Sequence, residues 1–151
     1  MIAWRLTRAA HQRLDWEGAR LYGGRWNSEG VAVAYMSSSL SLAALEHLVH
    51  IDIEDVPSDL VAMEIALPDD VSIEEVDPAA LPSDWRGTPD HQACVRAGNA
   101  WVAEGDSLLL RVPSAIIPTE TNLLLNPGHS EARTARVIGS VPFQYDPRLP
   151  G

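Results

Sequence analysis

A chain of 151 residues with 46% hydrophobic and 21% charged side chains is long enough to bury one compact core and short for two. Its 21 acidic residues against 11 basic ones give a formal charge of −10, which argues against broad attraction to nucleic-acid backbones or anionic membranes and leaves room only for a local basic pocket. All the basic residues are arginines, so chemistry built on lysine, such as a Schiff base or a Walker-type phosphate loop, is excluded.

Cys94 is the single cysteine, which rules out an intrachain disulfide, a Cys-rich zinc site and a redox pair. Residues 1–10 carry Trp4, Arg5 and Arg8 in place of the charged-then-apolar layout of an export signal. The longest apolar stretch, 31–36, is far below the roughly 20 residues that span a bilayer. A cytoplasmic setting without membrane association is expected.

In chain order, residues 2–6 read as a first strand, and 15–24 as a polar loop ending in Gly23-Gly24, where positive φ or a close backbone approach is available. Residues 31–36 are apolar on both strand faces, as expected of a central strand covered on both sides. Ser37 to Ser41 offers capping hydroxyls, and 42–50 has helical periodicity without Gly or Pro. Residues 60–67 and 71–76 read as two strands joined by a hairpin or sharp turn at Pro68-Asp69-Asp70. Residues 89–103 read as a helix in which Gly98 is unfavourable. Strands follow at 107–112, 122–125 and 136–145, the last interrupted by Pro142, which marks an edge or a bulge. The acidic runs Glu54-Asp55, Asp69-Asp70 and Glu74-Glu75 read as solvated surface charge. Strands with two inserted helices, out of regular alternation, predict an α+β fold of mostly antiparallel short strands in a single domain spanning 1–151.

Candidate chemistry begins on the first helix. Leu42, Leu45, Glu46 and Val49 fall at i, i+3, i+4 and i+7 and share one face. A carboxylate on an apolar stripe is either a desolvated, specifically paired acid or a boundary glutamate whose tip reaches water. His47 and His50 do not complete a His-Glu-x-x-His motif, so no metal is expected. Arg25 and Trp26 follow the glycine pair, one suited to bidentate recognition of phosphate or carboxylate and the other to stacking, or to a simple surface and core role. Tyr35 alternates with Val31 and Val33 and belongs to the interior or to a cleft wall. Ser114, Asn122 and Asn126 taken singly read as turn hydroxyl and capping amides. Neither a Gly-x-Ser-x-Gly elbow nor a Gly-x-Gly-x-x-Gly turn is present, which lowers hydrolase and Rossmann readings.

These pieces occur in one order: Trp4-Arg5, Gly24-Arg25-Trp26-Asn27, Val33-Ala34-Tyr35, Ala43-Ala44-Leu45-Glu46, Val112-Pro113-Ser114, Asn122, Asn126-Pro127-x-His129 and Tyr145-Asp146-Pro147-Arg148-Leu149. In that order the sequence resembles the RES-domain family, toxins of bacterial toxin–antitoxin pairs whose partner is an Xre-type antitoxin. The resemblance implies an ADP-ribosyltransferase-like fold that takes NAD as substrate and breaks its nicotinamide–ribose bond by hydrolysis or phosphorolysis. The alternative it implies is a protein ADP-ribosyltransferase. By the same resemblance Glu46 is the catalytic acid, with Arg25, Tyr35 and Ser114 in the catalytic set, and Arg25, Trp26, Asn27, Tyr35, Ser114 and Asn122 in the NAD-binding set. Arg25 is expected on a phosphate or carboxamide, Tyr35 against the nicotinamide, and Ser114 on the ribose or amide. Phosphate is a candidate acceptor, and a homodimer within the antitoxin complex is compatible with it. A reading of a different class is an inert module that only binds its partner.

Overall fold

A computed structural model describes residues 1–87 and 91–150. Among them, seven strands form one sheet: β1 (Ile2–Arg8), β2 (Ala34–Ser37), β3 (Leu60–Ala66), β4 (Ile73–Glu75), β5 (Leu109–Pro113), β6 (Thr121–Leu125) and β7 (Arg136–Pro142). Their spatial order is β4-β5-β6-β2-β1-β3-β7, with β4 and β5 parallel and the other neighbours antiparallel. Three α-helices accompany them: α1 (Glu17–Tyr22), α2 (Leu40–Leu48) and α3 (Gln92–Glu104). The architecture is α+β, and no described helix is long and apolar enough to cross a membrane.

Side-chain alternation explains the apolar runs. On β6, Leu123 and Leu125 join Ala34, Met36, Ile65 and Leu109 in one core, while Leu124 joins Val33, Leu110 and Val112 in a second. Successive residues point to opposite faces, so a strand covered on both sides has to be apolar throughout. The second core holds Trp26, Trp85, Trp101 and Cys94, with α3 contributing the last two. Residue pattern therefore places β2 at the centre, and it is the fourth of seven strands.

The expected strands at 2–6, 60–67, 107–112 and 122–125 form with shifts of at most two residues at their ends. The strand expected at 31–36 starts later, at Ala34, because Val31 closes a turn on the Ser28 carbonyl. β7 stops at Pro142, lies at the sheet edge, and carries a register shift opposite Glu64 and Ile65. A proline without an N–H is tolerated at such an edge. Of the helix expected at 89–103, Pro89 and Asp90 lie outside the described residues, and α3 occupies the remainder.

Two expectations are corrected, and a third, which offered a hairpin or a sharp turn, is decided. Residues 15–24 contain helix α1, too short for periodicity to register; the Arg20–Glu17 ion pair spans its exposed side, and Gly23 ends it at φ 72°. Residues 68–70 make a sharp turn but no hairpin. Both edges of β3 are taken by β1 and β7, so the chain crosses to the far edge, where β4 pairs with β5. Glu74 is not simply solvated, since it accepts a hydrogen bond from Ser107 Oγ at 3.0 Å.

The face that α2 turns inward also differs from the expected stripe. Leu42 and Ala43 are buried, Glu46 and His47 half-buried, and Leu45 and Val49 exposed. The helix begins at Leu40, capped by the Ser39 hydroxyl, which accepts the Leu42 N–H at 3.1 Å.

Gly98 has a packing reason. A Cβ there would stand 1.7 Å from the Trp26 carbonyl oxygen, so only glycine lets α3 lie this close to the 23–30 loop. Alanine is the better helix former by about 1 kcal/mol, but the overlap is with backbone and reverses the sign. Gly98→Ala is expected to destabilise the fold by about 2 kcal/mol and lower the melting temperature by roughly 6 °C. Thermal unfolding followed by circular dichroism measures this; a melting temperature at or above wild type would contradict the packing.

Candidate active site

β1 and β2 are neighbours that pair at a single position, Trp4 with Ser37, whereas β1 pairs with β3 at seven positions and β2 with β6 at four. The sheet therefore opens between them. A cleft of about 840 Å³ occupies this opening, lined by Trp4, Arg5 and Leu6 of β1, Tyr35, Met36 and Ser37 of β2, and Glu46 and His47 of α2. Much of its remaining wall comes from α1, the 23–26 loop, Pro113, Ala115, Ile116 and Asn122.

Glu46 is the best-defined group in it. Its Oε1 accepts from Asn122 Nδ2 at 2.6 Å and from Ser114 Oγ at 2.7 Å. Asn122 is oriented by Ser37, whose hydroxyl donates to its Oδ1 at 2.7 Å. Ser114 is fully buried and accepts the Ile116 and Ile117 N–H groups, each at 3.1 Å. Its one proton and both lone pairs are thus used, so the expected contact from Ser114 to ribose or amide is corrected: the hydroxyl positions the carboxylate from behind. No described residue donates to Oε2, which leaves that oxygen to the cleft.

Tyr35 presents its ring to the cleft while its hydroxyl donates to Asn27 Oδ1 at 2.6 Å and accepts the Trp26 N–H at 3.1 Å. Burial raises its pKa well above the ordinary range, so it is a neutral hydrogen-bonding group at all working pH values. Gly24 passes so close that a Cβ would lie 2.7 Å from the Tyr35 hydroxyl oxygen. Asn27 is not in the cleft. It is 1% exposed, and its Nδ2 donates to the carbonyls of Ala19, Ser28 and Val31. Trp26 borders the cleft, yet its indole is core, tilted against Trp85 at a centroid distance of 6.4 Å.

Arg25 lines the cleft and also fastens its wall: Nη1 donates to the Trp85 carbonyl at 3.0 Å and lies 3.2 Å from His91 Nδ1, and Nη2 donates to the Arg86 carbonyl at 3.5 Å. Five N–H donors are not exhausted by these contacts. Of the residues singled out from sequence, Glu46, Arg25, Tyr35, Trp26 and Asn122 meet at the cleft, and Ser114 and Asn27 stand behind it.

Sequence reasoning missed Arg5, His47 and the aromatic pair Trp16 and Tyr22. Arg5 donates from Nη1 to the Asp15 carbonyl at 2.7 Å, and burial lowers its pKa against the opposing pull of Asp15. Its signal was an arginine between two large apolar residues, Trp4 and Leu6, inside a strand. Trp16 and Tyr22 sit in the segment read as loop. His47 is tied to the chain end. The Tyr145 hydroxyl donates to the Ala44 carbonyl at 2.7 Å and is 2.9 Å from His47 Nδ1, so Nδ1 carries the proton.

The RES domain family model matches residues 2–146. The chain belongs to the RES domain family. It is 40% identical over 138 residues to the "Prs ADP-ribosylating toxin" of Sphingobium sp., covering 90% of this chain and 86% of that protein. A "Toxin Res" of Yersinia enterocolitica is 38% identical, covering 99% of both chains, and one from Photorhabdus laumondii is 40% identical, covering 99% of this chain and 97% of the other. Among solved structures, a chain of the M. tuberculosis MbcT–MbcA toxin–antitoxin complex superposes with a TM-score of 0.78 at 20% identity, covering 94% of this chain and 83% of that one. That likeness establishes the shared α+β fold of this RES domain protein.

Two outcomes follow for the site's framework. Asn27→Ala removes the amide donor from the Val31 carbonyl and the acceptor from the Tyr35 hydroxyl, while the Ala19 and Ser28 carbonyls keep the Gly23 and Val31 N–H groups; it is expected to cost about 3 kcal/mol in a denaturant melt. His47 is held below its ordinary pKa, first by burial and then by His50. The folded protein therefore takes up this proton less readily than the unfolded chain, and stability falls as pH drops through the unfolded value of about 6.5. Melting temperatures at about pH 7.5 and about pH 5.5 are expected to differ less in His47→Gln than in wild type.

Proposed function

We propose that this RES domain protein is the toxin of a toxin–antitoxin pair and that it breaks the nicotinamide–ribose bond of NAD. The observation that carries the reading is Glu46: a carboxylate at the cleft, held by two donors on Oε1 and with Oε2 open. Nicotinamide leaves NAD as a neutral molecule from a cationic glycoside, so no acid has to protonate it, and one carboxylate serves where ordinary glycosidases use two. Oε2 accepts a ribose hydroxyl and faces the positive charge that develops on the sugar, while the donors on Oε1 keep the group from rotating away. The ring of Tyr35 offers a stacking face for the nicotinamide. Arg5 and Arg25 supply the local positive potential that a chain of charge −10 otherwise lacks and that two phosphates need.

Water or inorganic phosphate would complete the displacement, giving ADP-ribose or its phosphorylated form. A protein acceptor is the second reading, favoured by the name of the Sphingobium relative. The relatives named Toxin Res support the toxin role, and the fold shared with the toxin–antitoxin complex agrees with an antitoxin partner. We take that partner to be of the Xre type, with the whole chain acting as one RES domain in the cytoplasm and dimerising within the complex.

The test uses the purified chain, freed of any partner, with NAD in phosphate and in phosphate-free buffer, products being separated by chromatography. Wild type is expected to release nicotinamide. Glu46→Gln, with an unchanged melting temperature, is expected to lose at least about 100-fold in kcat, and Ser114→Ala, which leaves Oε1 with one donor, about tenfold. Near-normal turnover by Glu46→Gln would reject the assignment. Free ADP-ribose identifies water as acceptor, its phosphorylated form identifies phosphate, and label transferred from NAD to a protein band identifies a side chain.

A further inference from the structure

The cleft wall holds two large aromatics that the reaction above does not use. Trp16 and Tyr22 flank and end α1, line the cleft, and are 37% and 80% exposed. Singly, exposed aromatics need no explanation, but two on the rim of one cleft form a surface for a flat ligand.

That surface is held firmly. Asn27 Nδ2 grips the Ala19 carbonyl at 2.8 Å, the Gly30 N–H donates to the Arg20 carbonyl at 2.7 Å, and the Arg20 N–H returns to the Trp16 carbonyl at 3.0 Å. Rings on a fixed backbone lose little freedom when something stacks on them.

Charge orders the cleft further. Arg5 bonds the carbonyl of Asp15, the residue before Trp16. Arg25 follows Gly24, which packs on the Tyr35 hydroxyl, and the charge of Arg25 acts on that tyrosine. One guanidinium thus acts on the half-buried Tyr35, the other bonds the residue that precedes Trp16, and all four side chains line the same cleft. A dinucleotide offers matching groups: two flat rings for aromatic side chains and two phosphates for guanidinium groups.

We propose that Trp16 and Tyr22 form the stacking platform for the adenine of NAD, a proposal that rests on the NAD reading above. The platform binds the half of the substrate remote from the reacting bond, so it governs affinity for the dinucleotide and discriminates it from nicotinamide mononucleotide, which has no adenine to place there. Stacking tolerates any base, so discrimination is by the presence of a second base and not by its edge.

The full chain is assayed for nicotinamide release from NAD and from nicotinamide mononucleotide. Trp16→Ala and Tyr22→Ala are each expected to raise KM for NAD about tenfold with kcat within about twofold, and to leave kcat/KM for the mononucleotide unchanged. Trp16→Phe and Tyr22→Phe, which keep a ring, are expected to return KM to within about threefold of wild type. Equal losses on both substrates, or an unchanged KM for NAD, would overturn the platform; the latter outcome would leave the rings to a protein partner.

Calorimetric binding of ADP-ribose against ribose 5-phosphate reads the same surface without turnover. The preference for ADP-ribose is expected to collapse in the double alanine variant. A wild type that leaves NAD intact but binds ADP-ribose through these rings rejects the cleavage reading and keeps the platform. A wild type that cleaves NAD and is indifferent to both rings does the reverse.

Discussion

Between β1 and β2 the sheet is joined at one paired position, and the site depends on that opening. Continuous pairing would bring the strands to about 5 Å and leave no room for a ligand between them. The gap is sustained from both sides. β1 is committed to β3 along its whole length, β2 to β6, and α2 packs on both β1 and β2 across the gap. Each strand has its ladder partner on its outer side, so the inner edges are free to diverge and to point side chains into the cleft.

The chemistry assigned to that cleft is divided between groups that face it and groups that brace them. Glu46 faces it; Ser114, Asn122 and Ser37 arrange its carboxylate through a chain of hydrogen bonds that ends in backbone N–H groups. Tyr35 faces it, while Asn27 holds its hydroxyl and, with the same side chain, holds α1. One buried amide thus links the deep aromatic to the rim. Such arrangements restrict the functional side chains to one rotamer, which is how a site is kept organised before substrate arrives.

Several of these parts were legible in the residue order. The apolar run 31–36 announced a strand buried on both faces, 122–125 announced another strand, and a glutamate amid apolar helix positions announced an acid worth attention. The brace was not legible. Ser114 and Asn27 carry the residue types of a binding site, yet their hydrogen-bonding capacity is consumed by backbone and by Glu46 or Tyr35. Trp16, Tyr22 and Arg5 were passed over because a six-residue helix and a half-buried strand leave no periodic signature for cleft-facing positions.

The sequence by itself determined composition-level exclusions, the types of the longer elements, the two-faced burial of one central strand and membership of a family with an acid on its first long helix, because these rest on local periodicity and motif order. Only the tertiary structure decided which side chains touch. Glu46 meets Ser114 and Asn122 from 68 and 76 residues away, and the strands between them are ordered by long-range pairing. Whether a polar group faces the cleft or is consumed behind it depends on partners brought near by the fold, and no local pattern in the chain records those distances.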